Sequence, residues 1–249
     1  MKKPKILVTG STGFVGQQVI KALSLLDVDL SIVVRPEKAS FFAKNVSVKS
    51  TIISSDIFTE SSVWWKKQCL DVDIFIHLAW YAEPGKYLDS RKNELCFSGT
   101  KEIAKGAAEA GIKRFIGIGT CFEYKFSESP LDISSPLDPQ TLYAKMKVKT
   151  FQYLSSYFQE CNVNFLWCRL FYLFGENEDK RRLVPVIRKN LVEGKTVELT
   201  SGEKVKDYMN IEEAGKIIAN LAVNKHTGAY NVCSGEGITI RALAEKIAD

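Results

Sequence analysis

The sequence predicts an α/β fold: a parallel sheet covered by helices on both faces, with a small C-terminal lobe. Three observations predict it. Short apolar runs alternate with stretches of helical apolar spacing from residue 5 onward, and a glycine-rich turn joins the first strand to the first helix. Beyond about residue 170 the alternation loosens into short elements punctuated by glycine. Strands that are apolar throughout need cover on both faces, which the intervening helices supply. The division expected is a main domain over 1–170 and a substrate-binding lobe over 171–249, some of whose elements can return to the main sheet.

Taken in order, Lys5-Ile6-Leu7-Val8-Thr9 is a β-branched strand running into the glycine turn. Residues 14–26 place Val15, Val19, Ala22, Leu23 and Leu26 at helical spacing. Strands are predicted over 31–34, 46–53, 73–78 and 114–118. Between the last two lies a long helix, 86–110, with Leu88, Leu95, Gly99, Ile103, Ala107 and Ala110 on one face. A second long helix, 139–160, carries Met146, Leu154 and Phe158 on one stripe, and a sixth strand covers 163–168. In the lobe, strands are predicted at 197–199 and 229–232 and helices at 183–191, 211–221 and 240–248.

Composition narrows the function. A chain of 249 residues with 45% hydrophobic and 25% charged content buries a core without disulfides or metals. The net charge of +5 comes from basic residues interleaved with acids, which argues against a nucleic-acid face and leaves room for phosphate-bearing small molecules. Six cysteines lack Cys-x-x-Cys spacing and only His77 and His226 are present, so reduced thiols in a cytoplasmic protein and no metal site are expected. The opening Met1-Lys2-Lys3-Pro4 leads into a strand rather than a secretory leader, and no apolar run approaches 18 residues, so no membrane association is expected.

Gly10-Ser11-Thr12-Gly13-Phe14-Val15-Gly16 spaces glycines at i, i+3 and i+6 between a strand and a helix. Glycine permits the tight turn and close backbone approach, and the helix amides and dipole then meet a pyrophosphate. This is the dinucleotide cradle of a Rossmann-type sheet, with Gly10, Thr12, Gly13, Phe14, Val15 and Gly16 around the cofactor. An acid at the end of the second strand would select NAD; the sequence there is Val33-Val34-Arg35-Pro36, and Arg35 favours NADP, with NAD still possible. The other reading is that Arg35 caps a loop or stacks on adenine. Asp56, next to Ile57, can accept from the adenine amino group or cap the helix around Glu60.

Tyr143 and Lys147 stand four residues apart on a predicted helix and so share a face. A phenol with an ordinary pKa near 10 needs a neighbouring cation to bring it into the working range, and Lys147 supplies one. Thr120 follows the fifth strand at the edge where such sheets bind ligands, where its hydroxyl can orient a carbonyl.

With these residues in order, the chain resembles the extended short-chain dehydrogenase/reductase family of sugar-nucleotide epimerases, dehydratases and reductases. The resemblance rests on the glycine motif, His77-Leu78-Ala79, Gly119-Thr120-Cys121-Phe122-Glu123-Tyr124 and Tyr143-Ala144-Lys145-Met146-Lys147. Further along, Arg169 to Gly175, Lys206-Asp207-Tyr208-Met209-Asn210-Ile211 and Gly228-Ala229-Tyr230-Asn231-Val232 extend it over the chain. It implies an enzyme with Thr120, Tyr143 and Lys147 as catalytic residues, Leu78, Ala79, Tyr143 and Lys147 against the cofactor, and a nucleotide-sugar substrate. Trp80, Tyr81 and Glu83 are expected on the hexose side; Tyr172, Arg182 and Lys206 on the nucleotide side. The two long helices resemble those that pair into a homodimer in this family.

Three departures from the family pattern stand out: Lys125 in place of a glycine after Tyr124, Cys96 in place of an asparagine, and Lys206 in place of an arginine, which keeps charge but loses the bidentate fork. A 4,6-dehydratase needs an acid/base pair directly after the threonine. Cys121 and Phe122 stand there, and Glu123 falls one place later, where an extended segment would turn it away. Two chemistries need only Thr, Tyr and Lys: reduction of a 4-keto sugar, as in the nucleotide-6-deoxyhexose 4-dehydrogenases, and 4-epimerisation with tightly held NAD. A non-catalytic dinucleotide-binding regulator would be expected to lack the Tyr or the Lys.

Overall fold

The computed structural model describes residues 3–42, 46–199 and 201–248. Met1 and Lys2 of the opening segment, and Asp249 after the closing helix, lie outside them. Seven parallel strands form the main sheet: β1 (Lys5–Thr9), β2 (Asp29–Val34), β3 (Ser50–Ile53), β4 (Ile74–His77), β5 (Arg114–Thr120), β6 (Asn164–Leu170) and β9 (Gly228–Val232), in the order β3-β2-β1-β4-β5-β6-β9. A second, three-stranded sheet, β10-β8-β7, joins β7 (Tyr172–Phe174), β8 (Val205–Asn210) and β10 (Gly237–Thr239).

Alternation along each strand divides the core. Ile6 and Val8 of β1 join one apolar cluster with Val19, Ile20 and Leu23 of α1 (Phe14–Leu23) and Ile218 of α6 (Ile211–Val223). Leu7, between them, joins the cluster on the opposite face. There it meets Trp65 of α2 (Ser62–Gln68), Ile103 of α3 (Lys92–Glu109) and Leu154 and Phe158 of α4 (Leu142–Glu160). This period of two against helices on both sides is the arrangement the apolar runs predict.

Several expected boundaries differ. The strand expected over 46–53 begins at Ser50. The helix expected from residue 86 begins at Lys92, because Asn93 Nδ2 donates to the Tyr87 and Ser90 carbonyls and holds 86–91 in turns. Leu88 and Leu95 are exposed, and α3 instead buries Cys96, Gly99, Thr100, Ile103, Ala104, Gly106 and Ala107. Small residues face α2 because the backbones come close: a Cβ on Gly106 would lie 2.4 Å from the Ser62 carbonyl oxygen. Residues 197–199 form no strand, and 229–232, expected in the lobe, pair with β6 in the main sheet. The helices expected at 183–191 and 240–248 form as α5 (Leu183–Val192) and α7 (Ile240–Ala248). Among the described residues no helix is long and apolar enough to cross a membrane.

Candidate active site

Chain order reverses between β1, flanked by β2, and β4, which leads on to β5. Such a switch point opens a crevice at the carboxyl ends of the strands. Gly10 to Gly16 emerges there from β1, and Leu78 and Ala79 emerge beside it from β4. Gly10 has φ +72°, and a Cβ on it would lie 2.5 Å from the Ala79 amide nitrogen. A Cβ on Gly16 would lie 2.0 Å from the Gly10 carbonyl oxygen, so helix and turn touch backbone to backbone. Gly13 is the N-cap of α1, with no side chain capping the helix and no acid in the first turn. Phe14 and Val15 are half-buried beside it, and the Thr12 carbonyl accepts from Gln17 Nε2 at 3.0 Å. A glycine cradle with uncapped helix amides and no competing carboxylate fits a pyrophosphate.

The remaining residues expected at the cofactor lie on the outer loops. Arg35 directly follows β2 with an exposed guanidinium, 4.0 Å from Glu37. Asp56 is exposed and accepts the Phe58 amide at 3.0 Å; Ile57 beside it is half-buried. The N-cap of α2 is Ser61, so Asp56 closes a turn rather than capping that helix.

Across the crevice, Thr120 is the last residue of β5 and initiates a tight 3-10 turn over Cys121–Glu123. Its hydroxyl accepts the Phe122 amide at 3.3 Å, and Glu123 Oε1 accepts the Thr120 amide at 2.9 Å. The extended segment expected to turn Glu123 away does not form, because the chain curls: Glu123 is fully buried and pairs with Arg169 at 2.7 Å while also accepting Trp167 Nε1 at 3.0 Å. Arg169 continues through Tyr124 (Nη1 to the hydroxyl, 3.1 Å), whose hydroxyl donates to Asn231 Oδ1 at 2.6 Å. This network reaches the end of β5 through the Thr120 amide. Its signal in the sequence is an arginine inside an apolar strand, which demands a buried acid.

Tyr143 and Lys147 project from the first turns of α4, whose N-cap Thr141 accepts the Ala144 amide at 3.2 Å. Tyr87 packs edge-on against Tyr143, ring centres 4.9 Å apart. The Lys147 ammonium is buried, donates to the Ile118 carbonyl at 2.7 Å, and lies 5.9 Å from the Tyr143 ring centre. Burial, with the neighbouring Tyr87 and Glu123, holds the Tyr143 phenol above its ordinary range. Burial brings Lys147 down to about 7 against the opposing charge of Glu123. The lysine was expected to pull the phenol down; in this arrangement desolvation prevails and the phenol stays protonated.

The loop after β4 and the segment 175–182 carry Trp80, Tyr81, Glu83 and Arg182, expected on the substrate side. Trp80 Nε1 donates to Asn93 Oδ1 at 2.8 Å, and its ring lies against Lys147. The Tyr81 hydroxyl donates to Glu83 at 3.0 Å, and Glu83 also pairs with Lys86 at 2.7 Å. Opposite, Arg182 lies 5.8 Å from the Phe14 ring and 3.6 Å from Glu178, and Gln17 and Gln18 of α1 meet Asn177 and Glu176. Lys206 sits 5.2 Å over the Tyr172 ring. Burial pushes the Cys121 thiol up to about 12 and the Cys96 thiol to about 11, so both are neutral. Lys125 is exposed.

A doubly wound sheet with this cradle and a Tyr–Lys pair at its carboxyl edge defines a nicotinamide-dependent enzyme of the extended short-chain dehydrogenase/reductase type. The chain belongs to the NAD dependent epimerase/dehydratase family, whose pattern matches residues 6–233. It is similar to a dTDP-6-deoxy-L-talose 4-dehydrogenase (NAD(+)) of Aggregatibacter actinomycetemcomitans, 25% identical over 97% of this chain and 88% of that one. It is also similar to the dTDP-4-dehydro-6-deoxyglucose reductase of Escherichia coli, 25% identical over 99% and 81%. Among solved structures, the UDP-N-acetylglucosamine 4-epimerase of Methanobrevibacter ruminantium M1, in complex with UDP-N-acetylmuramic acid, superposes with a TM-score of 0.86 at 23% identity over 98% of this chain and 81% of that one.

Proposed function

We propose that this enzyme reduces the C4 keto group of a nucleotide-linked 6-deoxyhexulose, with NADP(H) as the preferred dinucleotide and NAD(H) as the possible alternative. The observation that carries this reading is the turn after Thr120. Cys121 has a half-buried, neutral thiol and Phe122 has no titratable group, so the acid/base pair that a dehydratase needs is missing from those two positions. Tyr143 remains there as a phenol held in its protonated form, which suits a proton donor.

The bound dinucleotide supplies the hydride. Thr120, whose oxygen accepts the Phe122 amide and whose hydroxyl lies within hydrogen-bond reach of Tyr143, is placed to orient the sugar carbonyl beside the phenol. Tyr143 then gives its proton to the developing C4 oxyanion, and Lys147 offers positive charge to the phenolate left behind and to the ribose hydroxyls. Arg182 and Lys206, with Tyr172, form a basic and aromatic rim suited to a nucleoside diphosphate, and Tyr81 and Glu83 face it from the loop after β4. Two copies are proposed to pair through α3 and α4, and the site resides in a cytoplasmic enzyme.

The test is NADPH oxidation with a dTDP-4-keto-6-deoxyhexose, followed by absorbance. Turnover is expected, and tight dinucleotide binding without NADPH loss on any nucleotide ketosugar would overturn the assignment. A second reading, 4-epimerisation, draws on the likeness to the archaeal epimerase and needs the same three residues. NAD retained through purification, with interconversion of 4-epimers, would favour it. Tyr143→Phe is expected to lower kcat at least a hundredfold while leaving dinucleotide affinity nearly unchanged. Wild-type kcat in that variant would remove Tyr143 from the mechanism.

A further inference from the structure

Lys147 is the least conventionally supported charge in the reaction centre. It is only 4% exposed, and among the described residues its one hydrogen-bond acceptor is the Ile118 carbonyl and no carboxylate lies within ion-pair distance of it. A buried ammonium with so little counter-charge needs another source of stabilisation. The Trp80 ring supplies one, with its centre 3.8 Å from Nζ; the next aromatic ring, Trp167, is 5.7 Å away. A cation that close to an indole face is attracted by the ring quadrupole, most strongly where water is excluded.

The indole is not free to drift. Its N–H donates to Asn93 Oδ1 at 2.8 Å, and Asn93 is fully buried, with its amide donating to the Tyr87 and Ser90 carbonyls at 2.6 and 2.8 Å. Phe58 packs edge-on against the indole, ring centres 6.4 Å apart. The one polar atom of the Trp80 side chain is therefore engaged by Asn93, and its ring face by Lys147.

We propose that Trp80, pinned by Asn93, is a positioning residue of the reaction centre that holds the Lys147 ammonium in place and keeps it charged. The proposal rests on Tyr143 and Lys147 being that centre, and it gives Trp80 a part other than hexose binding. Other titratable groups face Lys147 from each packed element: Glu123 from the turn after β5, Cys96 from α3, His77 from β4 and Tyr143 from its own helix. Glu123 acts in the same direction as the indole, and burial acts against both.

The test uses the full chain without substrate, labelled with ¹³C at lysine Cε, with the Lys147 signal identified by its loss in Lys147→Arg. In the unaltered protein the ε-methylene protons are expected to shift upfield, as protons over an indole face do. Trp80→Leu keeps apolar bulk and removes the π face, and its Lys147 titration midpoint is expected to fall by about half a unit to one and a half units. Trp80→Phe keeps a face and is expected to recover part of that shift. The pH at which dinucleotide affinity declines should move with the midpoint. An unshifted ε-methylene signal in the unaltered protein, or one midpoint common to wild type, Trp80→Phe and Trp80→Leu, would overturn the proposal. The first of these readings stands even if a variant fails to fold. Neither involves the sugar, so this proposal and the ketoreductase assignment can fail separately.

Discussion

His77 sits at the end of β4, where the crevice opens, and its ring ties three elements together. The Thr100 hydroxyl donates to the Cys96 carbonyl at 2.7 Å, so it accepts from His77 Nε2 at 3.0 Å, and Nδ1 accepts from the Thr9 hydroxyl at 2.7 Å. That assignment makes the ring neutral, and burial holds its pKa down to about 3. The unfolded chain takes up a proton near 6.5, so stability is expected to fall as pH drops from about 6.5 toward 3 and to level off below. The full loss from this group is on the order of 5 kcal/mol. Denaturant titrations from pH 7 to 4 check it: His77→Gln should flatten the slope, and an unchanged slope would refute the assignment. At the other end of the cradle, Arg35 is exposed beside Glu37 with no acid closing β2. Arg35→Ala is expected to weaken NADPH binding at least tenfold while changing NADH binding little, as read by fluorescence titration. Equal losses for both dinucleotides would show that Arg35 stacks on adenine rather than meeting a phosphate.

At the scale of elements, the 3-10 turn after β5 decides what the site can do. It turns Glu123 under the sheet edge, where Arg169, Trp167 and the Thr120 amide meet it. The pair holds the end of β5 to β6 and, through Tyr124 and Asn231, to β9. Arg169→Leu alone leaves a buried carboxylate without its partner and should cost about 3–5 kcal/mol. Adding Glu123→Leu should recover much of that loss in stability, because the double change removes the unpaired charge as well. Equilibrium unfolding of the two single variants and the double variant measures the coupling, and simple additivity would refute a direct pair. The residues around this turn were legible as a motif, but the burial of Glu123 was not: alternation assigns a side only while the backbone stays extended, and here it curls.

At the scale of the molecule, two sheets meet around one cleft. The segment 175–182, leading out of β7 toward α5, lies against α1 through Asn177 and Gln17 and through Arg182 and Phe14, so the lobe is seated on the cradle. On the far side, α3 and α4 carry Phe97 edge-on to Tyr153, and Tyr153 stacked on Tyr157 at 5.7 Å, along half-buried positions. Pairing through these helices predicts sedimentation at twice the chain mass of 27.9 kDa. A species of single-chain mass across the micromolar range would refute it.

The sequence by itself determined the alternation of strands and helices, the glycine-rich turn and a Tyr–Lys pair on one helix face. Those features are local: an apolar period, a turn that only glycine fits, and two side chains four residues apart on one helix. Tertiary structure decided what depends on distant partners. The return of β9 to the main sheet rests on its pairing with β6, about sixty residues earlier in the chain. The burial of Glu123 rests on Arg169, and the seat of Lys147 under Trp80 rests on Asn93. Charge states in a low-dielectric site follow from such neighbours, because desolvation and contact set them together.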